Sequence, residues 1–303
     1  MHLNSPEASA GQISVVIPAF RGIATICDCI KSIVEAGAGF SIEILVVESS
    51  NDGTVDLVRK EFPFVRIVAM PSQVSAGQAR NIGAREAKGP FVLFVDQDCV
   101  VPKDWIPQLL QEFDSPKTGA VGGSVGFRNW SNWSGSAVYF LEFLYHFPSK
   151  RKSTRNSNFL IGCNLACRKE VFQSVSFPEQ TLAEDFLFSR AVQHAGWDVI
   201  YKPSLSVLHW NREGWKEFFR YNGKMGGAAA RYQKKLGQGL YPTVARFPFL
   251  IFLSPVLILP RIALGLFGNW NYLIRFLLLL PMCLLGNWAW GWAFFKEVKS
   301  ERT

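Results

Sequence analysis

Val95-Asp96-Gln97-Asp98 sets two carboxylates two residues apart, directly after the apolar run Pro90-Phe91-Val92-Leu93-Phe94. The run reads as a buried strand, and side chains two apart on a strand point the same way. Two hard oxygen donors on one side hold a divalent cation such as Mg2+ or Mn2+ and leave most of its coordination sphere to water or a phosphate. The pattern suits a metal-bound diphosphate; the plain alternative is a strand end and a cap for a helix near Asp104. A second acid pair, Glu184-Asp185, opens a segment with helical spacing. Acids favour a helix start through its macrodipole whatever else they do. A carboxylate there can also take a proton from a hydroxyl.

Elements that would position these acids alternate along the first third of the chain. Strands are expected at Ile13 to Pro18, Ile42 to Glu48, Val65 to Ala69 and Phe91 to Asp96. Helices are expected from Ala24 to Ala36, from Asp52-Gly-Thr54 to about Glu61, and from the capping box Ser75-Ala-Gly-Gln78 through Ala87. Such alternation predicts a parallel sheet covered on both faces, with ligands at the carboxyl ends of its strands. Glu48 and Asp96 both fall at such ends. Further strands are expected at Gly119 to Phe127, Phe159 to Ala166, Val199 to Tyr201 and Leu205 to His209. Helices are expected at Glu184 to Ala195 and from Gly214 to about Leu236, with a weak spot at Gly226-Gly227.

The 303 residues carry a formal charge of +8, which suits anionic partners such as nucleotide diphosphates or acidic headgroups. No nucleic-acid-binding pattern accompanies the charge, so nucleic acid is not an expected partner. None of the six cysteines forms a C-x-x-C pair or a zinc spacing, which predicts reduced, mostly buried thiols. Met1 to Gln12 is polar and lacks the regions of a signal peptide, placing the soluble part on the cytoplasmic side. Phe247 to Phe267 and Tyr272 to Phe295 are apolar runs near the roughly 20 residues that cross a bilayer. Basic residues flank the pair: Arg231, Lys234, Lys235 and Arg246 before it, Lys296, Lys299 and Arg302 after. That arrangement predicts a hairpin with both ends in the cytosol, spanning the membrane or lying re-entrant in it. The aromatic stretch Trp130 to Phe147 reads as core, as an acceptor groove or as a membrane contact.

In order, the chain shows Val-Val-Ile-Pro-Ala-Phe (15–20), Val-Glu-Ser-Ser-Asn-Asp-Gly-Thr (47–54), Ala-Gly-Gln-Ala-Arg-Asn-Ile-Gly (76–83), Val-Asp-Gln-Asp (95–98), Gly-Cys-Asn-Leu-Ala-Cys-Arg (162–168) and Ala-Glu-Asp-Phe-Leu-Phe-Ser-Arg (183–190). Each motif is weak by itself. Their joint order and spacing resemble the family 2 glycosyltransferases of GT-A fold, over roughly residues 11 to 210. The resemblance implies that Pro18, Ala19 and Phe20 line a nucleotide pocket and that Glu48 contacts the base or ribose. Glu48 stands where Asp is usual, and Arg21 where Asn is frequent. Gly77, Arg80 and Asn81 match the segment that closes over the nucleotide; Arg80 reads equally as a phosphate partner or a solvated charge. Asp96 and Asp98 match the metal-binding pair, Asp185 the base, and Glu184 a residue that orients acceptor or structure. His209 falls near a third metal ligand of some GT-A enzymes, or is a packed strand histidine.

The expected protein is α/β: a GT-A catalytic domain over 11–240 with a hydrophobic helical hairpin over 245–296. The expected activity is metal-dependent, inverting transfer from a nucleotide-sugar, UDP-linked by preference, to a hydroxyl of a lipid-linked or polysaccharide acceptor at the cell membrane. A non-catalytic nucleotide-sugar-binding scaffold and a Rossmann oxidoreductase are the alternatives. The oxidoreductase lacks its glycine turn, since Pro18-Ala-Phe-Arg-Gly22 stands after the first strand.

Overall fold

The computed structural model describes residues 13–179, 183–237 and 239–300. The polar stretch 1–12, Arg302 and the Lys235 side chain lie outside the described residues. The described residues form two compact units: 13–124 with 150–179 and 184–207, and 125–149 with 183, 208–237 and 239–300.

The first unit opens with β1 (Ile13–Ala19), α1 (Ile26–Ala36), β2 (Ile42–Glu48), α2 (Thr54–Glu61), β3 (Arg66–Ala69), α3 (Ala76–Glu86) and β4 (Phe91–Phe94). These strands pair in parallel in the order β3-β2-β1-β4, with Val15 opposite both Ile44 and Leu93. Val15, Val16, Ile17, Leu45 and Val47 are fully buried, as a strand covered on both faces requires. Ser75 caps α3 as its sequence predicts: its hydroxyl accepts from Gln78 N (3.1 Å) while Gln78 Oε1 accepts from Ser75 N (2.9 Å).

Past β4 the expected parallel order gives way. The chain continues through β5 (Cys99–Val100), α4 (Trp105–Leu110), β6 (Thr118–Phe127), α5 (Trp133–Glu142, in the second unit), β7 (Thr154–Arg155), β8 (Leu165–Arg168), α6 (Glu184–His194) and β9 (Asp198–His209). β8 runs antiparallel to β4, with Phe91 opposite Arg168, and antiparallel to β6. A parallel neighbour needs a crossover connection packed on the sheet; the strand–helix alternation that supplies one ends at β4. β8 is also shorter than the expected strand from Phe159, because the chain turns at Ile161–Asn164, where Asn164 N donates to Ile161 O. Conversely, the two expected strands around Pro203 are one, with burial alternating at Pro203, Leu205 and Val207. The core of this unit joins Val16, Phe94, Leu165, Phe177 and Phe188, with the Phe177 and Phe188 rings stacked at 3.9 Å.

The second unit is helical: α5, α7 (Trp215–Leu236), α8 (Tyr241–Arg246), α9 (Ser254–Gly265), α10 (Trp270–Leu278) and α11 (Leu280–Ser300). α7 runs unbroken through Gly226-Gly227. A side chain at Gly226 would collide with the Trp290 carbonyl, so the expected weak spot is a close approach to α11. Most of the aromatic stretch is core: Tyr139 and Phe140 are fully buried, and Tyr139 donates to Val125 O at 2.8 Å. Trp133 is 63% exposed and Tyr145 61%. The segment Pro248–Gly265 is long and apolar enough to cross a membrane. The second apolar run is two helices rather than one, α10 and α11 meeting at a 70° bend. Phe249, Val256, Leu264, Phe267 and Leu278 lie largely exposed, a display of apolar surface that water alone does not favour.

Candidate active site

The carboxyl ends of β1, β2 and β4 each lead into a loop, and the polar side chains of the first unit gather there. Asp96 and Asp98 sit in the turn after β4 rather than on its pleat, because the strand ends at Phe94 and Cys99 N donates to Asp96 O (3.0 Å). Cys29 Sγ, from α1, also donates to Asp96 O, at 3.4 Å. Two backbone anchors thus replace strand geometry in aiming the acids.

Arg80 is the centre of the cluster. Its side chain is 3% exposed, and its guanidinium donates through Nη2 to Asp96 Oδ1 (2.9 Å) and through Nη1 to Asp185 Oδ1 (3.1 Å) and Glu184 Oε1 (3.4 Å). It is therefore a fixed counter-ion rather than a solvated charge. Burial opposes its charge, but Asp185, Asp96 and Glu184 outweigh burial and raise its pKa further. Nε makes no hydrogen bond to the described residues. Asp185 takes a second donor from the backbone, Gly162 N to Oδ2 at 2.8 Å. A Cβ at Gly162 would run into the Arg80 guanidinium and lie 2.6 Å from Asp185 Oδ1, so only glycine lets the pair close here. Burial raises the Asp185 carboxyl, restrained by Arg80 and the Gly162 N–H.

Glu184 is pushed up to about 7, by burial first and by Asp185 beside it. Folding then favours its protonated form. Between the ordinary 4.5 and about 7 the folded state binds more proton than the unfolded, so this residue lowers stability as pH rises through that window. Glu184→Gln removes the effect. The thermal midpoint of the ligand-free variant is expected to match wild type below pH 4.5 and to exceed it at pH 8. An equal or lower midpoint at pH 8 counts against it.

Glu48 is buried at the end of β2, where Oε1 accepts from Ser50 N at 2.8 Å and from the Ser50 hydroxyl. Asp52 closes the loop by accepting from Thr54 N (3.1 Å) and Thr54 Oγ1 (2.6 Å). Burial pushes the Asp52 carboxyl up, but those bonds and one from the Ser50 hydroxyl bring it below its ordinary value. Pro18 and Ala19 end β1, Phe20 follows it, and Ser49 N donates to Ala19 O. Gly77 opens α3 close under the Pro178 carbonyl. The Asn81 amide is spent on Phe177, whose N and O it bonds at 2.8 Å each; it ties α3 to the segment before α6. His209 belongs to the second unit, buried, with Nδ1 2.9 Å from Asn211 Oδ1 and its ring 5.0 Å from that of Phe143.

Chemically, the arrangement offers two carboxylates close in sequence that could hold a cation. Asp96 Oδ1 is engaged by Arg80, while Oδ2 accepts no hydrogen bond from the described residues. Hard oxygens of this kind fit Mg2+ or Mn2+. Sequence reasoning passed over Gly162, whose role lies in its N–H, and Gln97, whose only signal was its place between the acids.

The family model described as "Glycosyl transferase family 2" matches residues 14–176. The chain belongs to that family. Among curated relatives, the glycosyltransferase GlyG of Streptococcus pneumoniae is 26% identical over 133 residues, 43% of this chain and 43% of its own length. Among solved structures, the mannosyltransferase PcManGT of Pyrobaculum calidifontis, in complex with GDP-Man and Mn2+, superposes with a TM-score of 0.59 at 18% identity, covering 97% of this chain and 87% of that one. S. aureus TarS 1–349, in complex with UDP-GlcNAc, gives 0.57 at 16%, covering 96% and 91%. The fold of this family 2 glycosyltransferase is GT-A, with a mixed Rossmann-like sheet.

Proposed function

We propose that this glycosyltransferase is metal-dependent and inverting, taking a sugar from a nucleoside diphosphate donor, UDP-linked by preference, to an acceptor hydroxyl. One observation carries the reading: Arg80 gathers Asp96, on the metal side, and Asp185, on the acceptor side, around one buried guanidinium. Bound Mg2+ or Mn2+ supplies Lewis-acid stabilisation of the diphosphate leaving group.

The protein's own groups do the rest. Asp96 and Asp98 hold the cation. Pro18, Ala19, Phe20 and Glu48 form the nucleotide side, and Gly77 and Asn81 fix α3 beneath it. Asp185 has accepted a hydrogen bond on each oxygen, and a carboxylate has about four lone-pair sites, so it retains capacity to accept the acceptor's proton. Arg80 and the Gly162 N–H keep Asp185 oriented and favour its ionised form. One base facing one leaving group implies in-line displacement and inversion.

The acceptor is proposed to be lipid-linked or part of a polysaccharide, handled by a catalytic domain (11–240) on the cytoplasmic side of the cell membrane and anchored through 245–296. The exposed apolar residues of the second unit and the Pro248–Gly265 helix support this. The test is hydrolysis of a panel of UDP- and GDP-sugars with and without Mn2+, together with co-flotation of the full chain with vesicles. Expected are Mn2+-dependent release of an inverted sugar from one donor, and flotation. Metal-independent turnover or a retained anomer overturns the mechanism; protein left at the bottom of the gradient overturns the membrane assignment.

A further inference from the structure

Gln97 lies between the acids, and its amide leaves the acid turn. It exchanges two hydrogen bonds with one residue of the loop after β1: Phe20 N donates to Gln97 Oε1 at 2.9 Å, and Gln97 Nε2 donates to Phe20 O at 2.9 Å. A residue that merely spaced two acids would need no such pairing. Only an amide presents a donor and an acceptor side by side, and asparagine is one carbon shorter.

The loop it holds needs holding. Arg21, next to Phe20, has φ 55, the left-handed region that an L-residue occupies only when its surroundings enforce it. On one side Gln97 fixes Phe20; on the other, Arg21 N donates to Ser50 Oγ at 3.0 Å, and that hydroxyl bonds Glu48. A continuous chain therefore runs from Glu48 through Ser50, Arg21, Phe20 and Gln97 to the acid turn. Gly22 completes the fit. A Cβ there would overlap Gln97 Oε1 and come within 2.8 Å of Cδ, so the three atoms nearest to it all belong to the Gln97 amide end.

We infer that Gln97 is a positioning residue that couples the cation site to the nucleotide loop, so that cation and nucleotide raise each other's affinity through it. The inference rests on the donor reading above. Coupling between two ligands is reciprocal, so it is measurable from either side.

The experiment is calorimetric titration of the full-length protein with Mn2+, with UDP, with GDP, and with each nucleotide in the presence of Mn2+. In wild type, Mn2+ tightens one nucleotide. In Gln97→Ala that enhancement falls about tenfold, the loss expected for two neutral hydrogen bonds. Mn2+ affinity without nucleotide stays within about twofold, which a general loosening of the turn would not leave intact. Gly22→Ala reaches the same contact from the opposite side. Gly22 is not among the positive-φ glycines, and its Cβ displaces only a flexible amide end, so the variant folds and loses the same enhancement. In the double variant the second change adds nothing, because the contact is already gone. Full enhancement in Gln97→Ala, or losses that add in the double variant, overturns the link while leaving the donor reading standing. Absence of any enhancement in wild type overturns the donor reading and the link together.

Discussion

Replacing Asp185 with asparagine lowers kcat by about a thousandfold, within the 10²–10⁴ range of a general base, while the donor KM stays within about twofold. The split follows from geometry. The amide keeps the size of the carboxyl and one oxygen, which still accepts from Gly162 N, so the turn at Gly162 is kept. What disappears is the carboxylate proposed to receive the acceptor's proton. A thousandfold corresponds to about 4 kcal/mol in the barrier, too much to come from a lost contact at 3.1 Å with Arg80. Initial-rate kinetics decide the matter. A variant retaining more than a tenth of wild-type kcat would remove Asp185 from the reaction.

Asp98→Ala is expected to act through a different quantity. Losing one of the two carboxylates proposed to hold the cation is expected to cost several kcal/mol of transition-state stabilisation, so kcat/KM falls on the order of 10³-fold at ordinary Mn2+ and recovers in part at high Mn2+. Asp96→Ala produces the same kinetic loss with an added cost in folding. It strips one carboxylate from a guanidinium that is 3% exposed and leaves Nη2 without its acceptor. An unsatisfied buried donor costs about 1–3 kcal/mol, so the Asp96 variant melts earlier than the Asp98 variant. Kinetics across a Mn2+ series and melting curves for both proteins test the pair of statements. Equal activity with and without Mn2+ in wild type, or unchanged turnover in both variants, contradicts them.

Glu184 illustrates why a motif names a position before it names a state. Its place at a helix start and beside Asp185 is plain in the chain. Its raised pKa is not, because the burial that is its first cause arises only when the start of α6 meets Arg80 and Gly77 of α3. The acid pair after β4 shows the same division. Two acids flanking Gln97 were legible, yet the strand argument that aimed them does not apply, since β4 stops at Phe94. Their aim comes from a turn closed by Cys99 N, from Cys29 and from Arg80, contacts with no signature in local spacing.

Local patterns alone determined the alternating elements from β1 to β4 and the capping box at Ser75, because each is written in neighbouring residues, while the order and spacing of several motifs along the chain carried the family. Tertiary structure decided that β8 lies antiparallel beside β4, that the aromatic stretch is mostly core, that α7 runs straight past two glycines, and that Arg80 faces inward to three acids. The physical reason is range. A hydrogen-bonded cap or an apolar period is settled within a few residues, whereas the fate of a charge depends on which distant groups share its burial, and Arg80 meets Asp185 across 105 positions of chain.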